Sequence, residues 1–255
     1  MKAEKNDPTH WRFRKVDIKP SGSKTWEIIE TKNGEVKHLV AINGHPLDAQ
    51  QQQAEQQRMQ QFLANRAEQE HRKTTSSQDY SKEQQLMEML PNALLYRYAA
   101  TNGNFVTLDF RPNPSFQATT HEAEVFHHMV GKLVIDVKNM RVAQFAGHLA
   151  SPVEFGWGLL GHLNKGGTFD VRQANVADKH WDMTLLDTQI TGKALFFKTI
   201  SVREKIIESD YHRVSDDLTL KQAVNMLKSS ASRSAAQIKT PSRQSAEVAA
   251  AAHHN

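Results

Sequence analysis

Four groups of residues have types and spacings that could do chemistry. His121-Glu122-Ala123-Glu124-Val125 begins like a zinc-protease helix, in which two histidines four residues apart share one face and the glutamate between them acts as general base. The second histidine belongs at position 125, where Val125 stands. Glu124 and His128 keep the four-residue spacing and could share a cation; the simpler reading is a capped or solvent-facing pair. His127 and His128 are adjacent, so a helix would point their imidazoles in different directions. Gly161-His162-Leu163-Asn164-Lys165-Gly166-Gly167-Thr168 holds the residues of a phosphate loop in the wrong order, because the lysine must follow the glycines and open a helix. It reads as a Gly-Gly turn before a strand. Asp216 and Asp217 read as the entry and cap of a last helix rather than as an acid/base pair. There is no G-x-S-x-G elbow and no Gly-rich nucleotide fingerprint. The expectation is therefore a non-enzymatic chain with no catalytic residues, no metal site and no cofactor.

The elements that would have to position any site are mostly strands. Segments 10–18, 25–31 and 36–42 alternate apolar and polar residues and are joined by Pro20-Ser21-Gly22-Ser23, Asn33-Gly34 and Asn43-Gly44. Asn-Gly is the strongest short hairpin signal, so these segments predict an antiparallel meander. Segments 93–100 and 104–110 flank Asn102-Gly103, and 132–137 and 141–149 flank Lys138-Asn139. Segments 168–176 and 180–190 predict another pair, and 193–208 a long strand. The glycine-spaced run Phe155 to Leu163 reads first as a core strand bent by its glycines, second as the wall of an apolar cavity. Between these blocks, 48–73 is glutamine-rich with Asp48 as N-cap, and Met59, Phe62 and Leu63 give it one narrow apolar stripe. Thr74-Thr75-Ser76-Ser77 should break it. Further helices are expected over 81–90, stopping before Pro91, over 120–129, and over 219–228. Short turns between strands, with helices gathered between the blocks, predict an α+β fold with an antiparallel sheet of about eleven strands.

Composition limits the partners. The chain of 255 residues contains no cysteine, which removes disulfides, thiolate metal sites and a thiol nucleophile. No run approaches the ~20 apolar residues of a membrane span, and residues 1–15 lack the apolar core of a signal peptide. The net charge of +4 lies at the ends. Residues 1–24 carry seven bases against three acids, and 229–255 three against one, whereas 25–228 carry 22 bases and 24 acids. A nucleic-acid domain should carry its basic footprint on the folded body, so no nucleic-acid partner is expected. The expected organisation is a flexible 1–9, one domain over 10–228 with 48–90 as a helical insertion, and a disordered Ser/Ala/Gln-rich 229–255.

Several motifs together resemble a known group. They are Asn43-Gly44-His45-Pro46-Leu47, Met89-Leu90-Pro91-Asn92-Ala93 with Tyr96-Arg97-Tyr98, Arg111-Pro112-Asn113-Pro114, Phe155-Gly156-Trp157-Gly158-Leu159-Leu160-Gly161, Lys165-Gly166-Gly167-Thr168-Phe169, and Thr191-Gly192-Lys193-Ala194-Leu195. Over roughly 10–228 the chain resembles a group of secreted bacterial proteins similar to the outer-membrane lipoprotein carrier (LolA-like) superfamily. The resemblance implies an incomplete β-barrel, a strongly curved antiparallel sheet whose hollow is lidded by helices. It also implies a periplasmic or envelope location, and lipid or lipoprotein acyl chains, with envelope proteins, as partners. On that reading Phe110, Phe126, Trp157, Leu160, Phe169, Leu195 and Phe197 are the candidate ligand-binding residues. The alternatives are a sensor or scaffold of the same fold that binds a protein, and an enzyme with polar groups converging in a cleft. Fold alone does not choose among them.

Overall fold

A computed structural model describes residues 9–120, 122–155, 161–177, 180–194 and 198–239. The chain runs β1 (His10–Lys19), β2 (Gly22–Ile29), β3 (Val36–Ile42), β4 (His45–Pro46), α1 (Ala49–Ala64), α2 (Arg66–Ala93), β5 (Leu94–Asn102) and β6 (Phe105–Pro112). A 3-10 helix (Ala123–His128) follows, then β7 (Met129–Asp136), β8 (Arg141–Leu149), β9 (Val153–Phe155), β10 (Gly161–Leu163), β11 (Thr168–Ala177), β12 (His180–Ala194), β13 (Lys198–Val214) and α3 (Leu220–Lys239).

The fold is α+β, with one antiparallel sheet of thirteen strands against the expected eleven or so. Its order is β4-β3-β2-β1-β13-β12-β11-β8-β7-β6-β5, with β9 and β10 beside the far half of β12. The sheet is open, because β4 and β5 end the path and do not pair. The predicted meander forms as β1, β2 and β3. Its Asn43-Gly44 turn has positive φ at both residues, 51° and 76°, which the hairpin twist favours. Asn43 Oδ1 accepts from the Ser23 N–H at 2.8 Å. A side chain at Gly22 would strike that oxygen at 2.4 Å.

Local expectations fail where tertiary contacts outweigh propensity. The expected strand 193–208 is two strands: Ala194 closes β12 and Lys198 opens β13, and the two are register partners, so the chain reverses there. The 120–129 helix is a short 3-10 helix over Ala123–His128. Thr74 to Ser77 do not break the helix. The break falls at Asn65, whose N–H bonds the Gln61 carbonyl at 2.9 Å and whose side chain accepts from the Glu68 N–H at 3.0 Å, capping α2. The helix also continues through Pro91 to Ala93. Proline removes one helical hydrogen bond, but burial of Leu90 and Ala93 at 4% and 1% exposure outweighs that loss. Helix α3 extends to Lys239, past the expected end at 228. Thr219 and Gln222 cap it reciprocally, Gln222 Oε1 accepting from the Thr219 N–H at 2.9 Å, while Asp216 pairs with Arg213 instead. Asp48 does cap α1, exchanging bonds with Gln51 in a capping box.

Two large apolar clusters sit under opposite ends of the sheet. At the β3 end, Ile29 and Val36 pack with Met59 and Phe62 of α1 and with Ala223, Val224 and Leu227 of α3. At the β5 end, Leu94, Phe110, Leu133, Phe145 and Leu149 pack with Leu90 of α2 and Phe126 of the 3-10 helix.

Candidate functional site

Three of the candidate ligand-binding residues come together, and they form packed core. Phe110 and Phe126 are 3% and 4% exposed, and Phe169 is half-buried against the same cluster. Register explains the meeting. Phe110 is opposite Gly131, Gly131 opposite Gly147, and Gly147 opposite Phe169. The two glycines leave room in this row. The Phe145 ring stacks on Phe110 at 4.9 Å and lies 5.1 Å from Phe169. A side chain on Gly147 would come within 3.0 Å of the Phe169 ring. Phe126 meets Phe116 edge-on at 6.1 Å. Trp157, Leu160, Leu195 and Phe197 lie outside the described residues. The described residues flanking them are neighbours across three strands: Phe155 pairs with Gly161, and Gly161 with Ala194.

The aromatic cluster continues across the central strands as an incompletely covered apolar face. Phe145, Val171, Leu186 and Ile206 are successive cross-strand partners in β8, β11, β12 and β13. The next row runs Phe169, Thr188, Glu204, and beyond it Ile190 is opposite Val202. Alternation puts all of these on one face. Phe145 and Ile206 are buried; Val171, Leu186 and Ile190 are half-buried and Val202 is 42% exposed. An ion pair interrupts this face: Lys19 reaches Glu204 at 2.8 Å and Asp17 at 3.6 Å. The bond to Glu204 holds the Lys19 ammonium above its usual range, and Lys19 in turn holds the Glu204 carboxyl below its own. Sequence reading missed Val171, Leu186, Ile190 and Val202 because it favoured aromatic residues. The apolar positions at 186 and 190 were visible, but only register joins them to 171 and 202.

Comparison with protein-family models, with curated proteins and with solved structures found no match. The geometry of the chain therefore carries the functional argument.

A second cluster, also missed from sequence, is polar. The Trp11 N–H donates to Glu30 at 3.0 Å, and the Trp11 ring stacks on His180 at 4.4 Å. His180 meets Asp182 at 3.2 Å. The Tyr211 hydroxyl lies 3.0 Å from a Glu208 oxygen and 3.1 Å from the Met183 carbonyl, and Lys15 reaches Glu208 at 3.3 Å. Burial pushes the Glu30 carboxyl up to about 8, with the nearby Glu35, Asp182 and Glu208 charges adding to it. Burial also raises Glu208 and Tyr211. These groups bond strand backbone and one another beside a kink of β13, where Asp210 takes φ 58°. Their contacts account for a structural polar seam.

The remaining motif residues are dispersed. His121 lies outside the described residues. Glu124 and His128 sit on a helix with three residues per turn, so a four-residue spacing does not align them. His128 Nδ1 is 2.8 Å from the Ser151 hydroxyl. Among the described residues no group of three or more His, Asp or Glu is placed to hold a metal. The Lys165-Gly166-Gly167 segment is a turn with φ 86° at Gly166, tied to Leu149 by two backbone bonds of 2.8 Å. It borders an open depression of about 500 Å³ on the opposite, polar face, lined by Lys132, Gln144, His148 and Thr168.

Proposed function

We propose that the chain is a non-catalytic binding protein that takes an apolar ligand, such as a lipid or the acyl chains of a lipoprotein, on the central strands. The observation that carries this reading is a pair of apolar cross-strand contacts, Val171–Leu186 and Ile190–Val202, left half-covered on either side of the Thr188–Glu204 pair on the face that buries Phe110 and Phe145. An alkyl chain laid along it would remove apolar surface from water at about 25 cal/mol per Å² before ordering costs. The Lys19–Glu204 pair, between the two apolar contacts, would border such a ligand along its length. The filled Phe110–Phe145–Phe169 cluster argues against a deep cavity there, so the ligand site is the neighbouring open face. Placement in the bacterial envelope rests on the resemblance of the motifs between Asn43 and Leu195 to the lipoprotein-carrier superfamily.

Native mass spectrometry with lipid extraction, followed by titration with a fluorescent fatty acid, tests the reading. Binding near one equivalent is expected, falling at least ~10-fold in Val202→Asp and Leu186→Asp with an unchanged far-UV spectrum. A chain that takes up no fatty acid and carries no lipid overturns it, as does uptake indifferent to both substitutions.

A further inference from the structure

The two edges of the sheet are finished differently. At β3 the outward-facing Leu39 N–H donates to Glu55 of α1 at 2.9 Å, and Arg58 of α1 donates to the Lys37 carbonyl. Two helix side chains thus take the place of a neighbouring strand. At β5 nothing among the described residues does this. Every described backbone bond of β5 between Leu95 and Thr101 goes to β6, and residues 97–102 are exposed. Leu95 and Tyr98 are 38% and 63% exposed. A row of free N–H and C=O groups is complemented by another extended backbone. The strand carries one charge, Arg97, and one bulge, at Ala99, but no proline, lysine or acid occurs in 94–102, which leaves Leu94–Tyr98 as a regular stretch.

We propose that β5 is a pairing edge for a second copy of this chain, antiparallel across a two-fold axis through Tyr96. This goes beyond the ligand reading and does not rest on it. An edge strand is complementary to itself under a two-fold, and β5 narrows the choice of axis. A continuous sheet requires each residue to meet one that points to the same face, so the axis must pass through a residue. An axis at Arg97 would set two guanidiniums opposite each other. An axis at Tyr98 would run the ladder through the bulge at Ala99, where facing inverts. An axis at Tyr96 avoids both and is centred on the regular stretch Leu94–Tyr98. It places Leu94 opposite Tyr98 and Leu95 opposite Arg97, covering the exposed apolar groups without opposing like charges. Arg97, 84% exposed on its side chain, keeps its own bond to Asp109 at 3.1 Å.

The Leu95–Arg97 pair makes the register testable. Sedimentation velocity of the full chain from about 1 to 300 µM should show a reversible dimer. Leu95→Lys puts a like charge directly opposite Arg97 and should weaken the dimer at least ~10-fold. Leu95→Glu puts an opposite charge there and should keep or tighten it, with both variants retaining the parent far-UV spectrum. A parent chain that stays monomeric over this range overturns the proposal, including the case in which residues 1–8 or 240–255 cover the edge. So does a dimer that survives Leu95→Lys, or one lost equally in both variants.

Discussion

The β3 and β5 ends of the sheet solve the same problem with different means. Both carry an apolar cluster, yet among the described residues only β3 has outer backbone groups bonded by side chains. Glu55 and Arg58 do this from a helix half of whose residues are glutamine, and they bond each other as well, at 2.6 and 2.7 Å. A long polar helix is therefore not idle surface here. Its Met59 and Phe62 anchor it, and one buried acid, 4% exposed on its side chain, terminates the sheet. At the β5 end, α2 and the 3-10 helix supply core, but no described side chain of theirs bonds the outer edge. Apolar packing and edge closure are separable jobs, and the described residues do both only at the β3 end.

The largest expected effect is on packing at the β5 end. Phe145→Ala removes the ring that contacts both Phe110 and Phe169 above two glycines that cannot fill the space. It should destabilise the chain by about 3–5 kcal/mol in urea unfolding. A loss below ~1 kcal/mol would mean that this cluster is loose enough to be a cavity wall after all. Next, Glu55→Ala leaves the Leu39 N–H without its acceptor and Arg58 without its carboxylate. Arg58 is about one-third exposed and can turn to water, so the expected loss is about 2 kcal/mol. It should come with concentration-dependent association through the uncovered β3 edge. No association would show that the helix backbone, not these side chains, shields the edge.

Much of this architecture was legible because it is local. The Asn43-Gly44 and Asn102-Gly103 turns, the alternation in β1 to β3, and Asp48 as a cap depend only on neighbouring residues. What failed depended on distant ones. His10 pairs with Val214, and no local pattern says that the first strand takes the last as its neighbour. Pro91 and Thr74 to Ser77 are breakers by propensity, yet burial of Leu90 and Ala93 carries the helix through the proline. The candidate ligand face suffered most. Its members come from β11, β12 and β13, and each looks like an ordinary strand residue until the register aligns them. Phe110 and Phe126, chosen for their aromatic mass, went where aromatic mass usually goes.

The polar seam near β1 gives a pH test at the closed end. Glu30 ionises near 4.5 when unfolded and up to about 8 when folded. The folded state thus holds its proton over a range in which the unfolded chain has released it. Its contribution is fully present below 4.5, is lost as pH rises towards 8, and is constant above that. Glu208 shifts the same way. Glu30→Gln keeps an oxygen for the Trp11 N–H and has no proton to lose. Its stability should decline less than the parent's between pH 5 and 8, by on the order of 1–2 kcal/mol. Parallel curves for the two proteins would mean that Glu30 is ionised in the fold and solvated more than its burial suggests.

The smallest expected effect is the sharpest test of the contrast between the two ends. If β5 is free, Leu95→Lys measured well below the dimer range should change stability by no more than about 0.5 kcal/mol, because Leu95 is exposed and packs no core. The same charge change at a covered edge would be expensive, since it would bury an ammonium against backbone groups already bonded. A loss of ~2 kcal/mol or more in the monomer would show that β5 is covered by its own chain, and the two ends would then be closed by one strategy rather than two.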